Sequence, residues 1–417
     1  MTRFYYVLLR LLACCLVFPL NAAAQTGAGS SAEPVESAVF EPGSKSDLVL
    51  ALPLGLPPLP VPADNPLSAA KVALGRKLFF DRRLSLNNAI SCALCHVPEQ
   101  GFTNNELAVP VGFEGRTGRR NSPTLYNAAY LEHLFHDGRE RALETQPIDP
   151  LLADHEMNNP SLGAILDKLA KLPDYAGLFE AAFAGRGPTA DTLGMAFASY
   201  MRTLISANSP FDRWYYGGEE NAISAQAKQG FQLFVGKAGC AQCHLLNEQS
   251  ALFTDQRFHN TGIGVPKDSR QTPATRQLSA APGVVITVDQ RLIDALKAQR
   301  MPTDLGRYEV TQNPADRWAY RTPILRNIAL TAPYMHDGSL RTLRAVIDYY
   351  DQGGVGHALQ SPLIRPLGLS ADEREALHAF LLTLTGDNVD LLAQDARLVE
   401  VGELRPDDPH WRHERAD

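Results

Sequence analysis

Two pentapeptides of this 417-residue sequence have the pattern Cys-x-x-Cys-His, at residues 92–96 and 240–244. Two thiols separated by two residues can add to the two vinyl groups of a haem, and the histidine that follows then reaches the iron. The sequence therefore predicts two covalently bound haem c groups, with His96 and His244 as iron ligands. The thiols that would attach them are those of Cys92, Cys95, Cys240 and Cys243.

The use of cysteine leaves a second interpretation, in which these thiols form disulfides. The sequence has six cysteines, and the two outside the motifs, Cys14 and Cys15, lie in the apolar N-terminal segment. Exported proteins usually pair their cysteines. A disulfide that closes a two-residue loop is strained, however, and a redox dithiol needs no histidine after it. Haem attachment is therefore the favoured interpretation.

The N-terminus has the features of an export signal. Arg3 and Arg10 supply positive charge, residues 7–20 are mostly apolar, and a run of small residues ends at Ala24. This pattern predicts a signal peptide over residues 1–24 and a periplasmic location.

Other interpretations of the N-terminus are less favoured. A lipoprotein signal ending at Cys14 conflicts with the bulky Leu12 and with the short apolar run before it. A membrane span needs a longer apolar run with other flanks, so we expect a protein that is not integral to the membrane. The net charge of −7 also argues against a nucleic-acid partner, because binding phosphates requires clustered Lys and Arg.

Hydrophobic periodicity indicates a mainly α-helical fold. Hydrophobic residues make up 45 % of the sequence and charged residues 20 %, which is typical of globular proteins. The clearest strand signal is at residues 284–288, and Ser370 with Glu373 forms a capping box. Helices are predicted to begin near Ser68, Ser161, Asp191, Ser224 and Ser370.

The two haem motifs, each after an aromatic-rich helix, predict two cytochrome c-like haem domains with long loops and little β structure. The sequence before them is rich in Gly, Ser, Ala and Pro, which is typical of a flexible arm. The predicted segments are a signal peptide over 1–24, a flexible arm over 25–65, a first haem domain over 66–212, a second haem domain over 213–402 and a solvated tail over 403–417.

Short segments outside the haem motifs give the sequence a family resemblance. They are Arg120–Thr124 (RNSPT), Asp137–Arg139 (DGR), Glu156–Asn159 (EMNN), Leu325–Asn327 (LRN), Leu330–Tyr334 (LTAPY) and His336–Gly338 (HDG). In this order, and together with both haem motifs, the sequence resembles the bacterial dihaem cytochrome c peroxidase and MauG family over nearly all of the chain that follows the arm.

The resemblance implies that the N-terminal haem reacts with hydrogen peroxide. Glu156 matches the family's distal acid–base carboxylate, and Gln146 matches its hydrogen-bonding partner. Such a carboxyl can take a proton from the inner peroxide oxygen and return it to the outer one. The resemblance also implies a calcium ion between the haems. Its ligands would be the side chain of Asn121 and the carbonyls of Thr331 and Pro333, oxygen groups that suit this cation.

Three positions depart from the ordinary peroxidases of that family. Residues 111–114 (Val-Gly-Phe-Glu) replace a loop with a removable distal histidine, so we expect the first haem to be five-coordinate. Counted without gaps from His336–Gly338, Tyr350 replaces the methionine ligand of the electron-transfer haem, as a tyrosine does in MauG. Tyr349 is the alternative if the correspondence with the family is shifted by one residue. His136 replaces the tryptophan usual between the haems, where it would relay protons or hydrogen bonds.

Two further histidines lie near these segments in sequence. His133 and His155 are alternatives as an unexpected distal ligand, and a position beside the site or on the surface is the favoured interpretation.

Three functions are compatible with these residues. The first is a MauG-type oxidase, whose tyrosine-ligated haem stores an oxidising equivalent and whose target is a tryptophan side chain of a partner protein. The second is a cytochrome c peroxidase fed by a small redox protein, which Tyr350 disfavours because methionine ligation is what raises the haem potential. The third is a non-enzymatic electron-transfer cytochrome, which Glu156 and Gln146 disfavour.

Overall fold

The computed structural model describes residues 50–265, 275–281, 284–289 and 303–402, so the predicted signal peptide, residues 25–49 of the arm and the tail lie outside the described residues. The helices are α1 Ala69–Phe80, α2 Cys92–Cys95, α3 Ile148–Leu152, α4 Leu162–Lys171, α5 Leu178–Ala182, α6 Ala190–Thr203, α7 Pro210–Tyr215, α8 Ala225–Val235, α9 Tyr308–Thr311, α10 Leu343–Asp351, α11 Ala371–Leu382 and α12 Val389–Arg397. The strands are β1 Phe258–His259, β2 Thr275–Ala281, β3 Val284–Asp289 and β4 Tyr320–Arg321. The prediction of a mainly α-helical fold is confirmed.

Serine side chains begin several of these helices at the predicted positions. Ser370 accepts a hydrogen bond from the Glu373 backbone N–H, while the Glu373 carboxylate accepts one from the Ser370 N–H, which completes the capping box. The helix predicted from Asp191 begins one residue earlier, because Thr189 is its cap. The other serine caps are Ser68, Ser161 and Ser224. Within the described ranges, no helix combines the length and the hydropathy that crossing a membrane requires.

Before each haem motif, two helices cross at a glycine. Helix α1 packs on α6, and α8 packs on α11. A methyl group at Gly75 would overlap the carbonyl oxygen of Ala196, and one at Gly230 would overlap that of Ala376. Glycine is therefore what lets each pair of backbones approach closely. Both crossings hold the helix that leads into a haem motif.

Aromatic side chains form the core around the second haem motif. Phe211 lies at its centre, with its ring centroid 5.4 Å from that of Phe253 and 5.7 Å from that of Phe380, both in edge-on contacts. Cys240 of the haem motif packs against this cluster. Burying one such ring stabilises the fold by about 1.5–3 kcal/mol, so this core gives the second motif a rigid support.

The described end of the predicted arm, residues 50–65, is packed against the rest of the chain. The carbonyl of Gly55 accepts hydrogen bonds from the guanidinium of Arg326, at 2.6 Å, and from the backbone N–H of Ala251. Arg326 is fully buried and also pairs with Asp212 at 2.8 Å. A buried arginine needs such acceptors, so this segment is part of the folded unit.

Strand structure is limited to two small antiparallel sheets in the described ranges. Strand β1 pairs with β4, and β2 pairs with β3. The strand predicted at residues 284–288 lies within β3. The valines at its start are exposed, with 60 % accessibility for Val285.

Candidate active site

The first haem motif forms one helical turn, α2, which ends at His96. The Nδ1 atom of His96 lies 3.0 Å from the carbonyl oxygen of Phe102. Because a carbonyl can only accept, Nδ1 carries the proton, and the lone pair of Nε2 is left to bind a metal. Burial lowers the pKa of this imidazole, which keeps it in the neutral form that binds iron.

The second haem motif repeats this arrangement. The Nδ1 atom of His244 donates to the carbonyl of Phe253 at 2.8 Å, and burial lowers the pKa of His244 as well. Phe102 and Phe253 both have a left-handed backbone, with φ of 52° and 55°. This conformation is costly for a residue with a side chain, and it recurs in both halves at the carbonyl that meets the histidine.

The four cysteines of the motifs are free thiols, so neither motif contains a disulfide. Burial is the largest cause that raises their pKa values, to about 12 for Cys92, Cys95 and Cys240 and about 11 for Cys243. Each motif therefore presents two protonated thiols beside a neutral imidazole. This is the set of groups that covalent haem attachment uses, and the residues present fit two haem c groups.

Glu156 lies close to the first haem motif. After burial, its charge is among the causes that raise the pKa values of Cys92 and Cys95. Burial raises the pKa of Glu156 itself, against the opposing charge of His155. A carboxyl whose pKa is moved towards neutrality can take up and return a proton, which is the chemistry expected of this residue.

The loop that replaces the distal-histidine loop packs directly on Glu156. Val111 pairs with Thr117 to close the loop, and the backbone N–H of Phe113 donates to the carbonyl of Glu156 at 3.0 Å. The Phe113 ring is buried, with the guanidinium of Arg116 5.4 Å from its centroid. This side chain has no atom that binds iron, so the loop covers one side of the site without supplying a ligand.

Gln146 lies in the turn that leads into α3. Its backbone N–H donates to the carbonyl of Ala142, and its half-buried side chain has no hydrogen-bond partner among the described residues. Helix α3 leads back to Glu156, since the Pro150 carbonyl accepts a hydrogen bond from the N–H of Met157.

The two candidate tyrosines at the end of α10 have different surroundings. The Tyr349 hydroxyl donates to the carbonyl of Thr261 at 2.8 Å. The pKa of Tyr350 is raised, first by burial and then by the charges of Cys240, Tyr349 and Cys243, so its phenol lies near the thiols of the second haem motif. Among the described residues the Tyr350 hydroxyl has no hydrogen-bond partner. Tyr350 is therefore the better placed of the two to meet a haem at Cys240 and Cys243.

His136 and Asn121 meet between the two halves. The Nε2–H of His136 donates to the Asn121 carbonyl at 2.9 Å, and the Asn121 N–H donates to the carbonyl of His336 at 2.7 Å. Burial, followed by the charge of the other histidine, lowers the pKa of His136 to about 3, and burial lowers that of His336 to about 4. Both imidazoles are therefore neutral at pH 7.

The residues predicted to bind calcium lie near this contact. The side-chain amide nitrogen of Asn121 donates to the carbonyl of Ala108 at 2.9 Å, which leaves its Oδ1 oxygen for a cation. Thr331 lies against Gly101, in the turn after the first haem motif, and Pro333 lies two residues further along the chain. Carbonyl and amide oxygens are the groups that a calcium ion prefers.

The sequence interpretation missed an ionic cluster in this region. Arg120 pairs with Asp137 at 2.6 Å and with Asp304 at 2.7 Å, and all three side chains are largely buried. Beside them, the Tyr320 ring stacks on His336 with centroids 3.5 Å apart. The repeated His-Asp-Gly at residues 136–138 and 336–338 was a signal that these segments form matching turns, since Gly138 and Gly338 have φ of 68° and 65°.

A polar pair lies beside the second haem motif. The Nε2 atom of His259 is 2.8 Å from an oxygen of Asp255, and with the sulfur of Cys243 these atoms lie within 4.8 Å of one another. Since Cys243 is assigned to haem attachment, we assign the pair to the surroundings of that haem rather than to a separate metal site.

The two alternative histidines occupy different places. His133 lies against the ring of Phe258 and accepts a hydrogen bond from Arg141 at 3.2 Å. His155 lies next to Glu156, with 3.5 Å between the Nε2 atom and the Glu156 Oε1 atom.

Comparison with known proteins identifies the family. The chain is 37 % identical over 337 residues to cytochrome-c peroxidase IdrP1 of Pseudomonas sp. (strain SCT), which covers 79 % of this chain and 84 % of that protein. It is 38 % identical over 330 residues to the methylamine utilization protein MauG of Methylorubrum extorquens, covering 79 % and 82 %. The chain belongs to the di-haem cytochrome c peroxidase family.

Two further comparisons agree with this membership. The family described as di-haem cytochrome c peroxidase matches residues 69–221. A solved structure of a MauG-like protein associated with microbial copper homeostasis has 32 % sequence identity and a TM-score of 0.68, covering 82 % of this chain and 97 % of that one. The predicted family and two haem c groups are thus confirmed, and the chain is an oxidoreductase that acts on peroxide. The non-enzymatic electron-transfer interpretation is wrong.

Proposed function

We propose that this member of the family uses hydrogen peroxide to oxidise a partner protein in the periplasm, as a MauG-type oxidase. The observation that carries the proposal is the position of Tyr350, which is near Cys240 and Cys243 and has no hydrogen-bond partner among the described residues. A phenolate ligand favours the oxidised states of iron over the reduced state. The second haem would then store an oxidising equivalent.

When held by Cys92, Cys95 and His96, the first haem would supply an iron that binds peroxide and promotes cleavage of its O–O bond. Glu156 takes the proton of the inner peroxide oxygen on its carboxylate and returns it to the outer oxygen, which leaves as water. The raised pKa of Glu156 suits both steps. Gln146 would hydrogen-bond the peroxide, and Phe113, which has no atom that binds iron, would not compete with it.

Tyr350 must lose its proton to act as an iron ligand. Burial raises the pKa of its phenol, so the haem-free side chain is protonated at pH 7. A metal ion deprotonates the groups that bind it, and the positive charge of ferric iron can stabilise the buried phenolate. We propose that Tyr350, together with His244, would hold the iron of the second haem.

The substrate we propose is a tryptophan side chain on the surface of another protein. Oxidation by electron transfer does not require that side chain to enter this protein.

Between the haems, we propose that His136 relays hydrogen bonds through Asn121, since imidazole is much harder to oxidise than indole. We also propose a calcium ion held by Asn121, Thr331 and Pro333.

The second candidate function is a cytochrome c peroxidase that receives electrons from a small redox protein. The observation in its favour is the 37 % identity to IdrP1, a protein named as a cytochrome-c peroxidase. That function needs a second haem of high potential, which a phenolate ligand opposes.

One experiment separates the two functions. One equivalent of peroxide is added to the protein with both haems ferric, and near-infrared spectra follow charge resonance between the haems. A persistent near-infrared band without rapid turnover of reduced cytochrome c would support the oxidase, and fast turnover without that band would support the peroxidase.

Electron paramagnetic resonance of the resting protein should show one high-spin and one low-spin haem; two low-spin haems would contradict the open first site.

A further inference from the structure

Asp154, His155 and Glu156 form a short polar chain from the surface to the proposed acid–base carboxyl. The Nδ1 atom of His155 lies 3.0 Å from the Asp154 carboxylate, and its Nε2 atom lies 3.5 Å from that of Glu156. The Asp154 side chain is 78 % exposed, and in the haem-free chain the His155 and Glu156 side chains are 39 % and 38 % exposed. We propose that His155 carries protons between solvent and the Glu156 carboxyl. This inference rests on the proposed function, in which Glu156 handles the protons of peroxide.

Glu156 needs such a supply because one side of it faces the haem site. Its charge acts on Cys92 and Cys95, which places that side towards the first haem motif. With haem and peroxide bound there, water has less access to the carboxyl from that direction. Reduction of peroxide to water takes up protons, and these must arrive from another side. His155 lies on such a side.

The neighbouring loop keeps His155 in place. A side chain at Gly118 would meet the imidazole, with its first carbon 3.2 Å from Cδ2 and 3.3 Å from Nε2. The guanidinium of Arg116 donates to the carbonyl of Asp154 at 3.1 Å, and the N–H of Phe113 donates to that of Glu156 at 3.0 Å. The loop thus fixes both ends of the tripeptide, and the imidazole still reaches solvent.

Asp154 fixes the orientation of the His155 imidazole. Its carboxylate accepts the Nδ1–H of His155, so the other nitrogen, Nε2, faces Glu156. In the supplying direction, the Nε2–H bond of the imidazolium breaks and an O–H bond forms on Oε1 of Glu156. His155 becomes neutral, keeps its Nδ1 proton and takes the next proton from water at Nε2. Release from Glu156 is the reverse.

The 3.5 Å separation is longer than a strong hydrogen bond. Contacts of this kind commonly shorten in the reacting complex, or act through one water molecule. Other charges around the chain also act on it, so the pH profile belongs to the group as a whole. These charged neighbours are Glu114, Arg116, Arg139 and Asp149.

The first test replaces His155 with Gln in the protein that carries both haems. We expect the steady-state reduction of peroxide by a chemical electron donor, which takes up protons from solvent, to slow by about 10- to 100-fold, at or below the low end of direct acid–base effects. The pH profile should change, and added imidazole should restore part of the rate. Asp154→Asn should slow the reaction less, since the amide keeps an oxygen that can accept the Nδ1–H and only the negative charge is lost. The control is His378→Gln, a partly exposed histidine of α11 whose charged neighbours are Arg344 and Glu375.

The second test does not use activity. Infrared spectroscopy of the resting protein, with Glu156→Gln as the reference, follows the C=O band of the protonated Glu156 carboxyl against pH. The positive charge of His155 lowers the pKa of Glu156, so His155→Gln should move that titration to higher pH. If His155 only packed against Glu156, its replacement would leave the titration of Glu156 unchanged.

The results separate this inference from the function on which it rests. If His155→Gln reacts at the normal rate with an unchanged pH profile while Glu156→Gln is inactive, the relay is wrong and the proposed function stands. If Glu156→Gln also reacts normally, the proposed function fails. An unmoved infrared titration, or a slow variant that imidazole does not help, would also overturn the relay.

Discussion

Single hydrogen bonds decide which atoms of this protein can meet iron. In both haem motifs a backbone carbonyl holds Nδ1 of the histidine, and this leaves Nε2 for the metal. The two tyrosines differ in the same way. The hydroxyl of Tyr349 donates to the carbonyl of Thr261, whereas that of Tyr350 has no hydrogen-bond partner among the described residues. The chemistry proposed for each haem therefore rests on which polar atoms the backbone leaves unused.

Replacing the proposed acid–base group tests the first haem site. We expect Glu156→Gln to keep both haems attached but to slow the reaction with peroxide by about 100-fold or more, because the amide cannot take up the proton. Stopped-flow spectroscopy measures the rate, and the absorbance of the pyridine complex counts the haems. Glu114→Gln, at an exposed position of the loop that packs on Glu156, is the control. A variant that keeps its rate would remove Glu156 from the role.

Replacing the proposed phenolate ligand tests the second haem site. We expect Tyr350→Met to raise the reduction potential of that haem and to speed the turnover of peroxide with reduced cytochrome c, because thioether ligation raises the potential. Spectroelectrochemistry measures the potential. Tyr349→Phe removes only the hydroxyl that donates to Thr261, so it should leave the potential nearly unchanged. The ligand assignment would move to Tyr349 if that variant shifted the potential and Tyr350→Met did not.

At the scale of the elements, two helix crossings position the haem motifs. The crossing of α8 with α11 has no room for a side chain at Gly230, next to Ala376 and Phe380. Helix α8 then leads, by way of Gly239, into the second haem motif. A change at the crossing therefore acts on the support of that motif, although it touches neither cysteine.

We expect Gly230→Ala to destabilise the protein. Alanine favours a helix by up to about 1 kcal/mol over glycine, but the methyl group would overlap a backbone carbonyl, and such overpacking costs about 1–3 kcal/mol or more. Thermal unfolding of the haem-loaded protein measures the net loss. The control is Gly163→Ala in α4, where the added carbon meets only the Ser161 oxygen at 3.7 Å. If the two variants were equally stable, helices α8 and α11 would be able to move apart at Gly230 without a loss of stability.

At the scale of the whole molecule, an ionic cluster joins distant parts of the chain. Arg120 connects Asp137 of the first half with Asp304, beyond the β2–β3 hairpin. Burial alone would raise the pKa of Asp304, but the hydrogen bonds and charge of Arg120 outweigh it and hold that pKa well below its usual range. The folded state therefore stabilises the ionised form of Asp304 more than the unfolded state does.

This cluster predicts how stability depends on pH. Since the pKa of Asp304 is lower in the folded state, its contribution is complete above about pH 4 and is lost as the pH falls towards the folded value. We expect Asp304→Asn to lower the free energy of unfolding at pH 7 by roughly 2–4 kcal/mol, because Arg120 then keeps Asp137 at 2.6 Å and only a longer pair with Glu309 at 3.5 Å. The difference should shrink near pH 3. Urea unfolding at both pH values measures it, with Asp348→Asn, at an exposed pair, as the control. A pH-independent difference would contradict the ionic origin.

Sequence alone determined the local features of this protein. The haem motifs, the serine caps and the capping box at Ser370 all depend on residues close together in the chain, so spacing was enough to find them. The family resemblance directed attention to Glu156 and Tyr350, although nothing in their own neighbourhoods distinguishes them from a loop acid and a core tyrosine.

Only the tertiary structure decided which distant groups meet. The pairing of Arg120 with Asp304, the contact of His136 with Asn121 and the packing of the Phe113 loop on Glu156 join residues far apart in sequence. Burial and opposing charges, which set the pKa values of these groups, also depend on what the fold places around them. Periodicity and spacing carry no information on such contacts, because they describe the chain along its own direction.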